Sequence, residues 1–354
     1  AAVWLPASTT ATNTCMAFKV SKTSRLYSTG FDNKLGIILG FFYPINTTNI
    51  PSIATHTCLE KPMTTRSTAT RWALTALTAA TLAAPALAAG PLKLDVYNPG
   101  HDAIFPVSSV LVTGEKDAVL IDAQFGASQA AKVVEKIRAS GKNLTTIYIS
   151  HGDPDFYFGL ETISKAFPAA KIVATAHTVQ HIKESAAGKL AYWGPILKAD
   201  APSATVLPEV LAGHTLTLEG KKLEIKGDAQ PDRSFVWIPS LKAVVGGIPL
   251  ANNLHVWMAD TQTPASHTGW LATLTQIQKL KPKVVVPGHY LEGPSKPLNA
   301  ARYTADYIKA FDKHTATAKN SAELIEAMKK EYPTAGEVSS LELSAKVAKG
   351  EMKW

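Results

Sequence analysis

Cysteine is nearly absent from this chain: Cys15 and Cys58 are the whole inventory, and both precede the part with readable periodicity. A disulfide framework or a cysteine metal site in the main domain is therefore excluded. No basic cluster interleaved with aromatic residues occurs either. The formal charge of +8 is spread along all 354 residues, so composition argues against a nucleic-acid partner. Long apolar runs are missing as well. The run from Ala73 to Ala84 is too short for a comfortable membrane span and has no stop-transfer cluster behind it, so no stable span is expected in the mature protein. Repeats and low-complexity segments are also absent.

What is present begins with a secretory signal. Met63 precedes Arg66 and Arg71, then an alanine-rich apolar stretch, then the small-residue cleavage pattern Ala86-Leu87-Ala88. Residues 63–89 are thus expected to be a signal peptide, with a periplasmic or secreted product; a buried alanine-rich helix is the bland alternative. Residues 1–62 show no sustained periodicity, and their one apolar run, Leu35 to Phe42, leads nowhere readable. They are expected to lie outside the fold, as an overlong reading frame with Met63 the real start, or else as a leader or anchor.

Residues 90–354 carry the organised pattern, long enough for one large domain. Val107–Val112 and Ala118–Asp122, separated by Gly114-Glu115-Lys116-Asp117, read as hairpin strands. An amphipathic helix is expected over 126–140, a buried strand at 147–149, a helix over 158–167 and a strand at 171–174. A helix from about 177 to 190 should end in a linker holding Trp193 and Pro195. Strands follow at 215–218, 223–225, 234–238 and 243–245, then a helix over 264–280, a last strand at 284–286, and a mostly helical end from 298 to 349. Strand hairpins followed by strand–helix units, in two halves, predict an α/β (α+β) architecture: two sheets sandwiched between helices.

The most informative stretch is Ser150-His151-Gly152-Asp153-Pro154-Asp155-Phe156. An imidazole and two carboxylates at i, i+2 and i+4, on a loop leaving a buried strand, can converge on one point. Such a set suits zinc, iron or manganese. Bland readings exist for each: His151 or Asp155 at a helix N-terminus, and Asp153 opening an Asp-Pro turn.

In this context the chain resembles the metallo-β-lactamase superfamily. The strand end at Asp122, the His-x-x-x-Asp loop, the strand over 234–239 and Val286-Pro287-Gly288-His289 arrive in that family's order, across about residues 92–292. The resemblance implies an αββα sandwich with a one- or two-metal site at the edge shared by the sheets, and hydrolytic activity. Against the family pattern His-x-His-x-Asp-His, His151 keeps the first histidine and Asp155 the aspartate. Asp153 replaces the second histidine and Phe156 the last. The third-histidine position falls at Gln230, with Asp228 or Asp232 able to substitute; the bridging aspartate falls at Gly246-Gly247 and is missing; His289 matches the final histidine.

The resemblance therefore implies one divalent metal, zinc first and iron or manganese as alternatives, held by His151, Asp153, Asp155 and His289 with help from Asp228. Asp155 would orient the water and accept its proton. Phe156, Gln230, His255 and Trp257, with Asp260, would face a small-molecule substrate, for which an ester or lactone is the blandest choice. Asp122 reads as a structural support. The alternative is a non-catalytic periplasmic binding protein, since Phe156, Gln230 and Gly247 all depart from ligation.

Overall fold

The computed structural model describes residues 90–227, 230, 231 and 233–354. The extension 1–62, the signal segment 63–89, Cys15, Cys58, Asp228 and Asp232 lie outside the described residues.

The first sheet opens with three antiparallel strands, β1 (Lys93–Tyr97), β2 (Ser109–Thr113) and β3 (Asp117–Ile121). Their registers, Lys93 opposite Thr113 and Val110 opposite Ile121, put Val110, Val112, Val119 and Ile121 on the inter-sheet side. The β2–β3 turn is held from the other half of the molecule. The Glu219 carboxylate accepts the backbone N–H groups of Glu115, Lys116 and Asp117 at 2.7, 2.6 and 2.9 Å. Those donations pull its pKa down to about 2.

Three strand–helix units extend this sheet in parallel: α1 (Ala127–Ala139) to β4 (Asn143–Ile149), α2 (Pro154–Tyr157) with α3 (Leu160–Ala166) to β5 (Lys171–Ala174), and α4 (Ala176–Leu197) to β6 (Glu209–Val210). The second sheet has the antiparallel run β7 (Thr215–Leu218), β8 (Lys221–Lys226), β9 (Phe235–Ile238) and β10 (Ala243–Val245). After β11 (Ala251–Asn252) and α5 (Pro264–Lys279), β12 (Val284–Val286) joins β10 in parallel, and β13 (His289–Tyr290) pairs with β11. Helices α6 (Ala300–Thr317), α7 (Ser321–Glu331) and α8 (Val338–Ala348) complete the chain.

The apolar residues fall into three layers. One lies between the sheets, around Val119, Ile121, Tyr148, Val236 and Val245. One lies under α1, α3 and α4, around Leu120, Ile137, Ile147 and Ile163. The third lies under α5 to α8, around Phe235, Trp270, Tyr307 and Leu324. Each sheet is apolar on both faces, which is what a four-layer αββα sandwich demands.

Three expectations need correction. The helix expected over 158–167 is two helices, and it starts earlier because Pro154 sits at the first helical position after the extended Asp153. The break falls at Gly159, where a Cβ would lie 2.0 Å from the Ala123 carbonyl oxygen. The helix expected to stop near 190 runs to Leu197 and carries Trp193 and Pro195 inside it. Trp193 packs edge-on against Phe105 and Phe125, at 5.3 Å from each, so tertiary burial overrides the local breaker. Finally, β12 is not the last strand: β13 follows it, and the short β6 had no legible signal.

Candidate functional site

The loop that leaves β4 is fixed from below by Asp122. This carboxylate is fully buried and accepts the Ser150 N–H at 2.8 Å and the Ser150 hydroxyl at 2.9 and 2.7 Å. Burial pushes its pKa up to about 7, against the hydrogen bonds from Ser150 and Gly247. From the other sheet, the Ser234 hydroxyl donates to the Ser150 carbonyl at 2.9 Å and sits 2.6 Å from the Tyr148 hydroxyl. Both sheets thus clamp the residue that precedes His151, and Asp122 has the supporting place expected of it.

Beyond Ser150 the acid and imidazole groups stand as two pairs. His151, 1% exposed, has Nε2 3.1 Å from Asp153 Oδ2. The other Asp153 oxygen accepts from the Lys189 ammonium, which comes from α4. Burial alone would raise the Asp153 pKa, but His151 and Lys189 hold it well below the usual carboxylate range. The second pair is His289 Nε2 to Asp155 Oδ2 at 2.6 Å. Asp155 stands in the first turn of α2, and His289 arrives on β13, set opposite Ala251 of β11.

Phe156 stands between the pairs. Its ring is fully buried, edge-on to His151 at 5.3 Å and to His289 at 5.2 Å. The predicted donors are therefore neighbours without being convergent. Among the described residues no group of three or more His, Cys, Asp or Glu side chains is placed to hold one ion. Gln230 donates its Nε2 to the Ser266 carbonyl at 3.0 Å. It lines a polar cleft of about 410 Å³ with His151, His181 and Arg233, which adjoins a second cavity at Asp260 and Trp354. At the place of the missing bridging aspartate, Gly247 has φ +84°, and a Cβ there would lie 2.1 Å from the Ser234 carbonyl oxygen.

Asp153, Asp155 and His289 open onto this second cavity, of about 150 Å³, with largely apolar walls that carry Tyr192, Trp193, Trp257 and Trp354. Of the residues expected to face substrate, His255, Trp257 and Asp260 line it, while Phe156 and Gln230 do not. His255 is bonded through Nδ1 to the Tyr307 hydroxyl at 3.0 Å, and burial brings its pKa down to about 4, so it is neutral at pH 7. The two carboxylate oxygens of Asp260 accept the indole N–H groups of Trp257 and Trp354, each at 2.7 Å.

Lys189, Tyr192, Trp193, Glu337 and Trp354 also line the cavity and escaped the reading of the sequence. Lys189 lay at the end of an expected helix, and the two aromatics lay in an expected linker; once α4 is drawn through Leu197, they follow on one continuous helix. Glu337 and Trp354 had no signal. Two of the unassigned histidines prove to be paired, His267 with Asp312 at 2.6 Å and His314 with Glu331 at 2.7 Å.

A family model described as the metallo-beta-lactamase superfamily matches residues 103–289, just over half of the chain. A solved metallo-beta-lactamase family protein from Thermus thermophilus is 16% identical, with a TM-score of 0.53 over 73% of this chain and 91% of that one. A metallo-beta-lactamase from Pontibacter korlensis is 19% identical, with a TM-score of 0.47 over 62% of this chain and 95% of that one. An uncharacterized Bacillus subtilis (strain 168) protein, YobT, is 34% identical over 71 residues, which are 20% of this chain and 30% of that relative's length.

Proposed function

The chain belongs to the metallo-β-lactamase superfamily, and from that premise we propose that it is a hydrolase of an ester- or lactone-type bond in a small organic molecule. The observation that carries this reading is the His289–Asp155 pair at 2.6 Å, opening on the aromatic-walled cavity. In this reading Asp155 holds the imidazole, and His289 takes a proton from a water in the cavity. The hydroxide adds to the substrate carbonyl carbon, and the acyl carbon–oxygen bond then breaks. The departing oxygen leaves with the proton from the imidazolium. The Lys189 ammonium lines the same cavity while held by Asp153, and its remaining N–H donors are the ones it can turn toward the developing oxyanion.

Superfamily members typically bind divalent metals such as zinc. A catalytic zinc takes about three protein ligands and a water. Here the described residues offer donors two at a time, on either side of Phe156, with the Lys189 ammonium already on Asp153. That arrangement does not fit an ion, so no step is routed through one. Export belongs to the same proposal: it rests on residues 63–89, and N-terminal sequencing of the protein from a periplasmic or culture fraction checks it.

The test is hydrolysis of chromogenic esters and lactones by the full chain, with and without chelator and added zinc, iron or manganese. Turnover that survives chelator and is lost in Asp155→Asn and His289→Gln supports the reading. A rate that appears only with metal overturns the side-chain route and keeps the hydrolase. No turnover at all leaves the second reading, a non-catalytic binding protein, which the places of Phe156 and Lys189 favour.

A further inference from the structure

Four of the rings that line the cavity form one connected set. Trp257 meets Trp354 at 5.1 Å, Trp354 meets Tyr192 at 6.3 Å, and Tyr192 meets Trp193 at 4.9 Å, all close to edge-on. Asp260 locks two of them, since each of its carboxylate oxygens accepts one indole N–H. Large rings held in place in this way present an apolar surface that also attracts positive charge through the ring quadrupole.

The charges lining the cavity are unbalanced. Four carboxylates line it: Asp153, Asp155, Asp260 and Glu337. Lys189 is the ammonium among them, and Asp153 already holds it. Asp155 is taken by His289, and His255 is neutral. Asp260 and Glu337 make no close ion pair among the described residues; Asp260 accepts from the two indoles and feels the Arg233 guanidinium of the adjoining cleft at longer range. Glu337 is the sharper case, because its Oε2 is buried with no hydrogen-bond partner.

The placement of Glu337 is enforced by backbone. Gly336 donates its N–H to the Asn253 carbonyl at 3.0 Å and accepts the His255 N–H at 2.8 Å. Glu337 itself is held at φ 55° before α8. A carboxylate oxygen kept from water and left unpaired is costly to hold in the charged form, and burial accordingly raises the Glu337 pKa; a cation in the cavity favours the charged form.

We propose that this cavity selects an organic cation: a substrate or ligand with an ammonium head against Glu337 and Asp260 and the aromatic wall. The inference rests on the reading of the cavity as the substrate site, and it names the substrate class of that site.

The experiment is calorimetric titration of the full chain with three probes of one shape and different charge: choline, 3,3-dimethylbutan-1-ol and 3,3-dimethylbutanoate. Choline should bind about tenfold or more tightly than the neutral alcohol, with the anion weakest. Glu337→Gln should remove most of that preference and leave the affinity for the alcohol unchanged. Asp260→Asn serves as a second variant, should Glu337→Gln fail to fold: the preference for choline over the alcohol should fall, while the alcohol's own affinity is free to change because one indole loses its acceptor. Equal binding of cation and alcohol, preference for the anion, or binding of none of the three overturns the proposal. Binding is read without turnover, so the two readings fail separately. Choline binding with no ester hydrolysis removes the hydrolase and keeps the cation site; hydrolysis of neutral esters without cation preference does the reverse.

Discussion

Asp155 and His289 lie 134 residues apart in the chain, yet their Oδ2 and Nε2 atoms stand 2.6 Å apart where α2 and β13 meet. The pair exists because the first half of the fold ends a parallel strand in a helix N-terminus and the second half returns a two-residue strand beside it.

Asp155→Asn keeps the shape of the side chain but removes the charge that orients and stabilises a protonated His289. Turnover should fall by about a hundredfold or more, with little change in the melting temperature. Steady-state kinetics on an ester or lactone that the wild-type chain hydrolyses, beside thermal unfolding, checks both halves of the expectation.

Asp122 sets a pH dependence of stability. Its pKa is pushed up to about 7 in the folded chain, against about 4 for an unperturbed carboxyl. Between those values the native state binds the extra proton, so this group's contribution to stability is full below about pH 4 and is lost as pH rises toward 7. Asp122→Asn should flatten the dependence of the melting temperature on pH between about 4 and 7. An unchanged slope would mean that burial does not set this carboxyl's titration.

Phe156→His places an imidazole between His151 and His289, whose rings now flank the phenyl at 5.3 and 5.2 Å. The variant should take up about one zinc ion per chain, where the wild type takes up much less. Elemental analysis after zinc loading and desalting reads the difference. Equal uptake by both proteins would refute the view that the phenyl ring separates the donors.

Restoring an aspartate at Gly247 should fail. The position has φ +84°, and a Cβ would meet the Ser234 carbonyl oxygen at 2.1 Å, a backbone atom that cannot swing away. Gly247→Asp should lower stability by about 3 kcal/mol or more, or abolish folding. Denaturant unfolding of the soluble fraction measures it. A variant as stable as wild type would show that the β10 turn adapts.

Local pattern was enough to read the layers and to mark the loops that carry the candidate site. Short continuous apolar runs such as Val110 to Val112 and Val119 to Ile121, alternating with amphipathic helices, leave little choice beyond two sheets between helices. The His151 loop and the Pro-Gly-His289 turn were legible as motifs because strand ends fix where side chains emerge. How those side chains pair is set by packing between segments far apart in the chain. Whether Asp153 meets a metal or the Lys189 ammonium depends on how α4 packs against the His151 loop, and packing of the Trp193 indole against Phe105 and Phe125 outweighs the local signal of Pro195. The cavity wall was equally illegible, because Glu337 and Trp354 reach it through backbone bonds and indole contacts between segments far apart in sequence. Local propensity and spacing reach only a few residues along the chain, whereas charge balance and cavity shape are summed over everything that folding brings together.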